Sequence, residues 1–233
     1  MKKYLIFTVL LACSVLISCS SKKEKKSNFP AAEGRFNVSA LSSASESEED
    51  VKDDFVRNSK LCDMAAKYGF KVGSCISYGQ VNRSSYISLL KNDYNTITAT
   101  NEFKAYSLLN QRESMLQGIP VMSYSQADAI AKVAQDNGIG IRGHVLVWDA
   151  YMNDWFFREG FKSDGAFVSK SVMEEPLAYY IDEVITHFET KFPGVVYCWD
   201  VVNEAVADGS NEWIPGNEFH IRATRGGTSN IFN

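Results

Sequence analysis

One stretch of this chain tolerates few folds: Val195–Ala205, which reads V-V-Y-C-W-D-V-V-N-E-A. Its run of Val195, Val196, Tyr197, Cys198, Trp199, Val201 and Val202 is β-branched or aromatic nearly throughout, the composition of a strand buried on both faces. Strands of that kind belong to parallel sheets covered by helices. Ligand sites of parallel α/β folds lie at the C-terminal strand ends, and this end carries Asn203 and Glu204. Adjacent strand residues point to opposite faces, so the two can meet one ligand only if the strand ends or bulges there. Otherwise Glu204 merely caps the strand in solvent.

Upstream, helix and strand signals alternate. Leu61–Tyr68 reads as a helix stopped by Gly69, and Lys71–Ser77 as a first strand. Ser84–Lys91 reads as a helix and Asn95–Ala99 as a second strand. Ser125–Asn137 carries the clearest helical pattern. Ser125 and Asp128 have capping-box spacing, Ala127, Ile130, Ala131 and Ala134 form one stripe, and Gly138 ends it. Gly140–Trp148 is a third strand. Pro176–Lys191 is amphipathic, with Leu177, Tyr180, Ile181, Val184 and Phe188 on one face, and Pro193-Gly194 leads into the fourth strand. Such alternation predicts a parallel sheet with right-handed crossovers. It leaves open whether the sheet closes as a barrel or stays open and doubly wound. No G-x-G-x-x-G or P-loop follows a strand, which argues against a nucleotide site.

The N-terminus addresses the chain elsewhere. Lys2 and Lys3 precede an apolar stretch, Tyr4–Ile17, too short to span a bilayer comfortably. Residues 1–18 are therefore read as a signal peptide. It ends in Leu16–Cys19, L-I-S-C, similar to a bacterial lipobox, which would make Cys19 the acylated first mature residue. Leu10–Cys13 is a second candidate, and an ordinary cleaved signal the alternative. The expectation is an exported protein anchored by lipid to a bacterial membrane, at the cell surface or in the periplasm. Residues 19–54 have almost no apolar side chains to bury and read as a disordered tether, leaving 55–233 as the folded domain. The net charge of −4 carries no footprint for nucleic acid. Cys62, Cys75 and Cys198 make an odd set without a C-x-x-C pair, so neither a metal site nor a disulfide is predicted. Cys75 and Cys198 lie in predicted strands and are expected to be buried free thiols.

Three strand ends resemble those of glycoside hydrolase family 10, the endo-β-1,4-xylanases. The second strand ends T-A-T-N-E-F-K (Thr98–Lys104), the third R-G-H-V-L-V-W (Arg142–Trp148), and the fourth W-D-V-V-N-E-A (Trp199–Ala205). The resemblance covers roughly Lys71 to Ala205. It implies an α/β fold, the N-terminal half, about four strands, of a (β/α)8 TIM barrel. It also implies that Asn101 and Lys104 hold the sugar two places upstream of the cleaved bond. His144 and Trp148 would hold the sugar at the cleavage point. Two departures fall on the upstream subsite: Thr100 stands where the family has Glu, and Tyr151 where it has Gln. Taken singly, His144 reads as a satisfied core group, Lys104 as a surface charge, and Trp148 and Trp199 as core. His187 reads as a surface residue of a helix, and His220 has no assignment.

The implied chemistry is retaining glycoside hydrolysis, with Glu204 as acid and then base. Asn203 would bond the sugar 2-hydroxyl or orient the nucleophile, a second carboxylate roughly 5–5.5 Å away. In the family that nucleophile comes from the seventh strand. Ala205–Asn233 is polar and glycine-rich with no clear strand, so the nucleophile is expected outside this chain, which reads as a fragment inactive by itself. No cofactor is expected, the partner is xylan or its oligosaccharides, and the full-length protein is expected to be a monomer. Two other functions fit the same residues: a retaining glycosidase of another β-1,4-glycan, or a glycan-binding lipoprotein that no longer hydrolyses.

Overall fold

The computed structural model describes residues 59–225 and 228–229. The expected signal peptide and tether, and Cys19 as the expected site of lipidation, lie outside the described residues. The chain divides between Ser59 and Lys60, and the described helices and strands belong to the second unit, Lys60–Asn233.

Its elements alternate as the residue pattern predicts. Helix α1 (Leu61–Ala66) leads to strand β1 (Gly73–Ile76), α2 (Ser84–Asp93) and β2 (Thr96–Ala99). Two short helices, α3 (Ala105–Leu108) and α4 (Gln111–Gln117), precede α5 (Ser125–Asp136) and β3 (Gly140–Trp148). A stretch of short 3-10 turns connects to α6 (Lys170–Lys191) and β4 (Val196–Asn203). A small antiparallel pair follows, β5 (Thr224–Arg225) with β6 (Thr228–Ser229). The segment after Glu204 thus carries two strands of two residues each, which its polar, glycine-rich composition does not announce.

All pairings among the first four strands are parallel, and the order in the sheet is β1-β2-β3-β4. This order answers the question that alternation alone leaves open. A doubly wound sheet reverses direction at a switch point, whereas a barrel adds each new strand on the same side. The four strands add in one direction only. The register slips between Ile141 and Arg142 and again between His144 and Val147, where the His144–Val145 peptide bond is cis.

Apolar side chains from sheet and helices meet in one core. Ile76, Ile97, Ile141 and Leu146 pack with Leu90 of α2, with Ile130 and Ala134 of α5, and with Tyr180, Val184 and Phe188 of α6. The stripe expected on α5 is buried throughout, and of that on α6 Tyr180, Val184 and Phe188 are buried while Leu177 and Ile181 are partly so.

Several expectations need correction. None of the eight β4 residues is buried, so this strand is not covered on both faces. Trp199 packs on Phe103 and Phe188, while Tyr197, Val201 and Val202 are exposed, because among the described residues β4 has one neighbouring strand. For the same reason Cys198 of β4 and Cys75 of β1 are exposed rather than buried, and both are free thiols. Helix α6 begins at Lys170, with Pro176 inside it. The N-cap of α5 is Tyr124, not Ser125. Asp128 faces away from any cap and bonds His187 Nε2 at 2.6 Å and Lys191 Nζ at 2.7 Å. His187 is therefore a half-buried tie between α5 and α6, stacked on Tyr124 at 3.6 Å, rather than a surface residue.

Candidate active site

The polar residues singled out in the sequence gather at the C-terminal ends of β2, β3 and β4. After β2 the chain makes a tight turn and buries Lys104, which is 7% exposed. Its Nζ donates to Asn101 Oδ1 at 3.0 Å and lies 4.1 Å from the Tyr151 ring centroid and 5.1 Å from that of Trp148. Burial pushes the Lys104 ammonium below its ordinary 10.5, and the nearby Glu102 carboxylate offsets part of that. Glu102, itself buried, accepts from the backbone N–H of Tyr78 at 2.6 Å and of Asn101 at 3.0 Å. One carboxylate thus ties the loop after β1 to the loop after β2.

From the end of β3, Trp148 Nε1 donates to Glu204 Oε2 at 3.0 Å. Trp148 also pairs in register with the half-buried Asn203. Strand β4 ends at Asn203, and Glu204 adopts φ +53°. A left-handed backbone costs a residue with a Cβ roughly 1–2 kcal/mol, so something must hold this turn. Arg222 does so. It is 4% exposed, its Nε donates to the Glu204 carbonyl at 3.1 Å, and its backbone N–H donates to Ala205 O at 2.7 Å. Its guanidinium is in turn paired with Glu212 Oε2 at 2.5 Å. The change of direction between Asn203 and Glu204 is therefore built by the strand end and clamped from Arg222.

Deeper in the strands, His144 and Asp200 are register partners, and His144 Nδ1 lies 2.8 Å from Asp200 Oδ2. Arg142 grips the same carboxylate with Nε on Oδ1 at 3.0 Å and its second nitrogen on Oδ2 at 2.9 Å. Partial burial pushes the Asp200 carboxyl up, but the hydrogen bonds and charges of Arg142 and His144 outweigh it, so its pKa falls below the ordinary 3.8. Arg142 is correspondingly raised by its bond to Asp200. An ionised carboxylate only accepts, so Nδ1 of His144 carries the proton and Nε2 is left for a ligand. The His144 ring meets Trp148 edge-on at 5.7 Å.

Asn101, Lys104, Trp148 and Glu204 thus form one continuous chain of contacts, with His144 edge-on to Trp148 and Asn203 its partner in strand register. Sequence reading missed Asp200, Glu102 and Arg222. Asp200 and Glu102 lie inside the very motifs quoted for their neighbours, and Asp200 could have been found as the one charge in an apolar strand. Arg222 sits in a segment without periodicity and left no signal. His220, unassigned from sequence, stacks on Trp213 at 3.5 Å. Among the described residues no cluster of three or more His, Cys, Asp or Glu could hold a metal ion, and no helix is long and apolar enough to cross a membrane.

Comparison with known proteins gives this arrangement its relatives. The chain is 39% identical over 158 residues to endo-1,4-beta-xylanase Y of Acetivibrio thermocellus, a match covering 67% of this chain and 14% of that protein. It is 29% identical over 168 residues to endo-1,4-beta-xylanase A of Butyrivibrio fibrisolvens, covering 64% of this chain and 41% of that one. The chain therefore spans well under half the length of these relatives. Among solved structures it resembles the CBM22-1–GH10 modules of Clostridium thermocellum endo-1,4-beta-D-xylanase 10B in complex with xylohexaose, at TM-score 0.62 and 38% identity over 66% of this chain and 30% of that one. A psychrophilic glycoside hydrolase family 10 endo-beta-1,4-xylanase gives TM-score 0.54 at 30% identity, over 70% of this chain and 46% of that chain. The model of Glycosyl hydrolase family 10 runs over residues 60–223, taking in all four parallel strands and the turn that Arg222 clamps, and this chain belongs to that family.

Proposed function

We propose that the protein is an endo-β-1,4-xylanase that cleaves internal β-1,4-xylosidic bonds of xylan with retention of configuration. One observation carries the reading: a carboxylate, Glu204, stands at a strand end with its Oε2 held by Trp148, whose ring adjoins the Lys104–Asn101 pair. In the first step Glu204 donates its proton to the glycosidic oxygen as the C1–O bond breaks and a second carboxylate attacks C1. In the second, the Glu204 carboxylate takes a proton from water as the water oxygen attacks C1 and the first ester bond is released. Asn101 and Lys104 hold the upstream sugar, His144 and Trp148 the sugar at the cleavage point, and Asn203 the 2-hydroxyl beside the bond.

The test is Glu204→Ala in the full-length protein. Xylan hydrolysis should fall by about 10²–10⁴-fold. Aryl xylosides with good leaving groups should suffer less in the first step, and azide should restore the second. Equal losses on both substrates without azide rescue would remove Glu204 from the role. A second reading, another β-1,4-glycan as substrate, is favoured by Thr100 and Tyr151, which replace sugar-contacting residues of the family; comparing turnover of xylo- and cello-oligosaccharides separates the two.

Export as a lipoprotein anchored through Cys19 is also proposed, on the strength of the basic Lys2-Lys3, the apolar Tyr4–Ile17 and the L-I-S-C that ends it. Labelled fatty acid should enter the wild-type protein in a bacterial host and be lost in Cys19→Ser. Label retained in that variant moves the assignment to Cys13.

A further inference from the structure

Three carbonyls in succession, those of Glu204, Ala205 and Val206, all accept from one residue. Arg222 Nε reaches Glu204 O at 3.1 Å, its backbone N–H reaches Ala205 O at 2.7 Å, and Nη2 reaches Val206 O at 3.4 Å. Residues 220–223 lie between two other stretches and bond to both. Ala207 N donates to His220 O at 3.1 Å, Ile214 N to Ile221 O at 2.8 Å, and Ala223 N to Glu212 O at 2.7 Å. The outer two stretches are tied to each other as well, because Trp213 Nε1 donates to Ala207 O at 3.0 Å. The Trp213 ring lies flat on that of His220, at 3.5 Å and 3°. Arg222 thus occupies the middle of a small bonded unit whose first residues follow Glu204 directly.

A buried arginine is a costly way to stabilise such a place. Its side chain is 5% exposed, and the loss of hydration is offset by pairing with Glu212 Oε2 at 2.5 Å. A pair of this kind is often no more stabilising than apolar side chains of the same volume. What apolar side chains cannot do is grip carbonyls. Strand β4 fixes the peptide before Glu204, and Nε of Arg222 fixes the peptide after it. Between them they set the direction of the Cα–Cβ bond of a residue whose φ is +53°. Glu204 is exposed, so packing does not set that direction. The far end of its side chain is met by Trp148 Nε1. A general acid works within about 2.6–3.2 Å of the atom it protonates, and a misplacement of about 1 Å costs about 10²-fold. We propose that Arg222 is a positioning residue for the reaction, holding the backbone of Glu204 so that its carboxyl meets the departing oxygen. The proposal rests on the acid/base reading of Glu204 given above and names what keeps that group in place.

The test separates cleavage that needs a proton from cleavage that does not. In the full-length protein, Arg222→Lys keeps the charge but loses Nε and the rigid fork of donors. Arg222→Met combined with Glu212→Gln removes both charges together, so that neither is left buried alone. Far-UV circular dichroism reports whether each variant is folded. Both variants should lower kcat on xylan about 10- to 100-fold, with KM held within about threefold. Their kcat/KM for a dinitrophenyl β-xylobioside should stay within about threefold, because that leaving group departs without a proton. Full xylan turnover in either folded variant overturns the proposal. Equal losses on the two substrates also overturn it, since Arg222 would then support the whole site and not the proton donor. So does failure of both variants to fold, which would make Arg222 a requirement of the fold alone. Glu204→Ala, run alongside, should show the same split between substrates. If it loses both equally, the acid/base reading fails, and the role of Arg222 with it.

Discussion

At the scale of single residues the site is governed by how charges are held. Asp200 takes three bonds, two from Arg142 and one from His144, and its carboxyl is kept ionised below the ordinary range despite partial burial. A carboxylate whose folded pKa is depressed stabilises the fold above its unfolded pKa near 3.8, and that stabilisation is lost as pH falls through the folded value. Asp200→Asn should therefore destabilise the protein by about 1–2 kcal/mol at neutral pH, charged hydrogen bonds being among the stronger ones, with the open side of Arg142 limiting the effect. The gap to wild type should narrow as the pH is lowered to 3. Urea unfolding at pH 7 and pH 3 reads this directly, and a gap of equal size at both values would show that the Asp200 charge does not carry it. The same variant should also free His144 to take either tautomer. Ligand affinity should then drop even where stability is restored.

At the scale of elements, what the sequence discloses is whatever depends on local pattern. The α5 stripe, the Gly138 stop at φ +65°, and β3 over Gly140–Trp148 can be read from residues alone because burial repeats with the period of the element. Ser125 and Asp128 mimic a capping box, yet Asp128 is taken by His187 and Lys191 of α6. Two charge-assisted bonds across the helix pair outweigh one local cap. Pro176 is usually a first-turn residue, and the true start at Lys170 is hidden because Lys170–Glu175 lacks an apolar stripe and leaves Val172 exposed. Likewise Glu204 and the residues proposed to bind sugar are legible as short motifs, whereas Arg222 and Glu102 act through backbone contacts that no spacing encodes. The β3–β4 pairing holds a further constraint of this kind. A Cβ at Gly143 would lie 2.3 Å from Cε3 of Trp199, a ring wedged against Phe103 and Phe188. Gly143→Ala should cost about 1–3 kcal/mol, since neither the strand nor the ring can yield freely. Trp199→Leu placed in the same chain should recover part of that loss. Unfolding midpoints of the four members of this double-mutant cycle check it, and strictly additive effects would mean the two positions do not press on each other.

At the scale of the whole molecule, the parallel sheet has four strands and two ends. Among the described residues β1 pairs only with β2, and β4 only with β3. The β4 end is the more adhesive, because Tyr197, Val201 and Val202 are 43%, 37% and 45% exposed along a strand of high β-propensity. In a barrel of this family such a strand has a neighbour on each side, and closure removes the edge. A polypeptide of these 233 residues by itself should therefore self-associate through β4. A lysine on an open edge blunts such pairing, by leaving a charge to be buried at the contact. Val202→Lys should accordingly shift the sedimentation profile toward monomer, while Val172→Lys, an equally apolar and still more exposed position on α6, should leave it as it was. A monodisperse monomer for the unsubstituted chain, or equal effects of the two lysines, would mean that the exposed strand is not what brings molecules together.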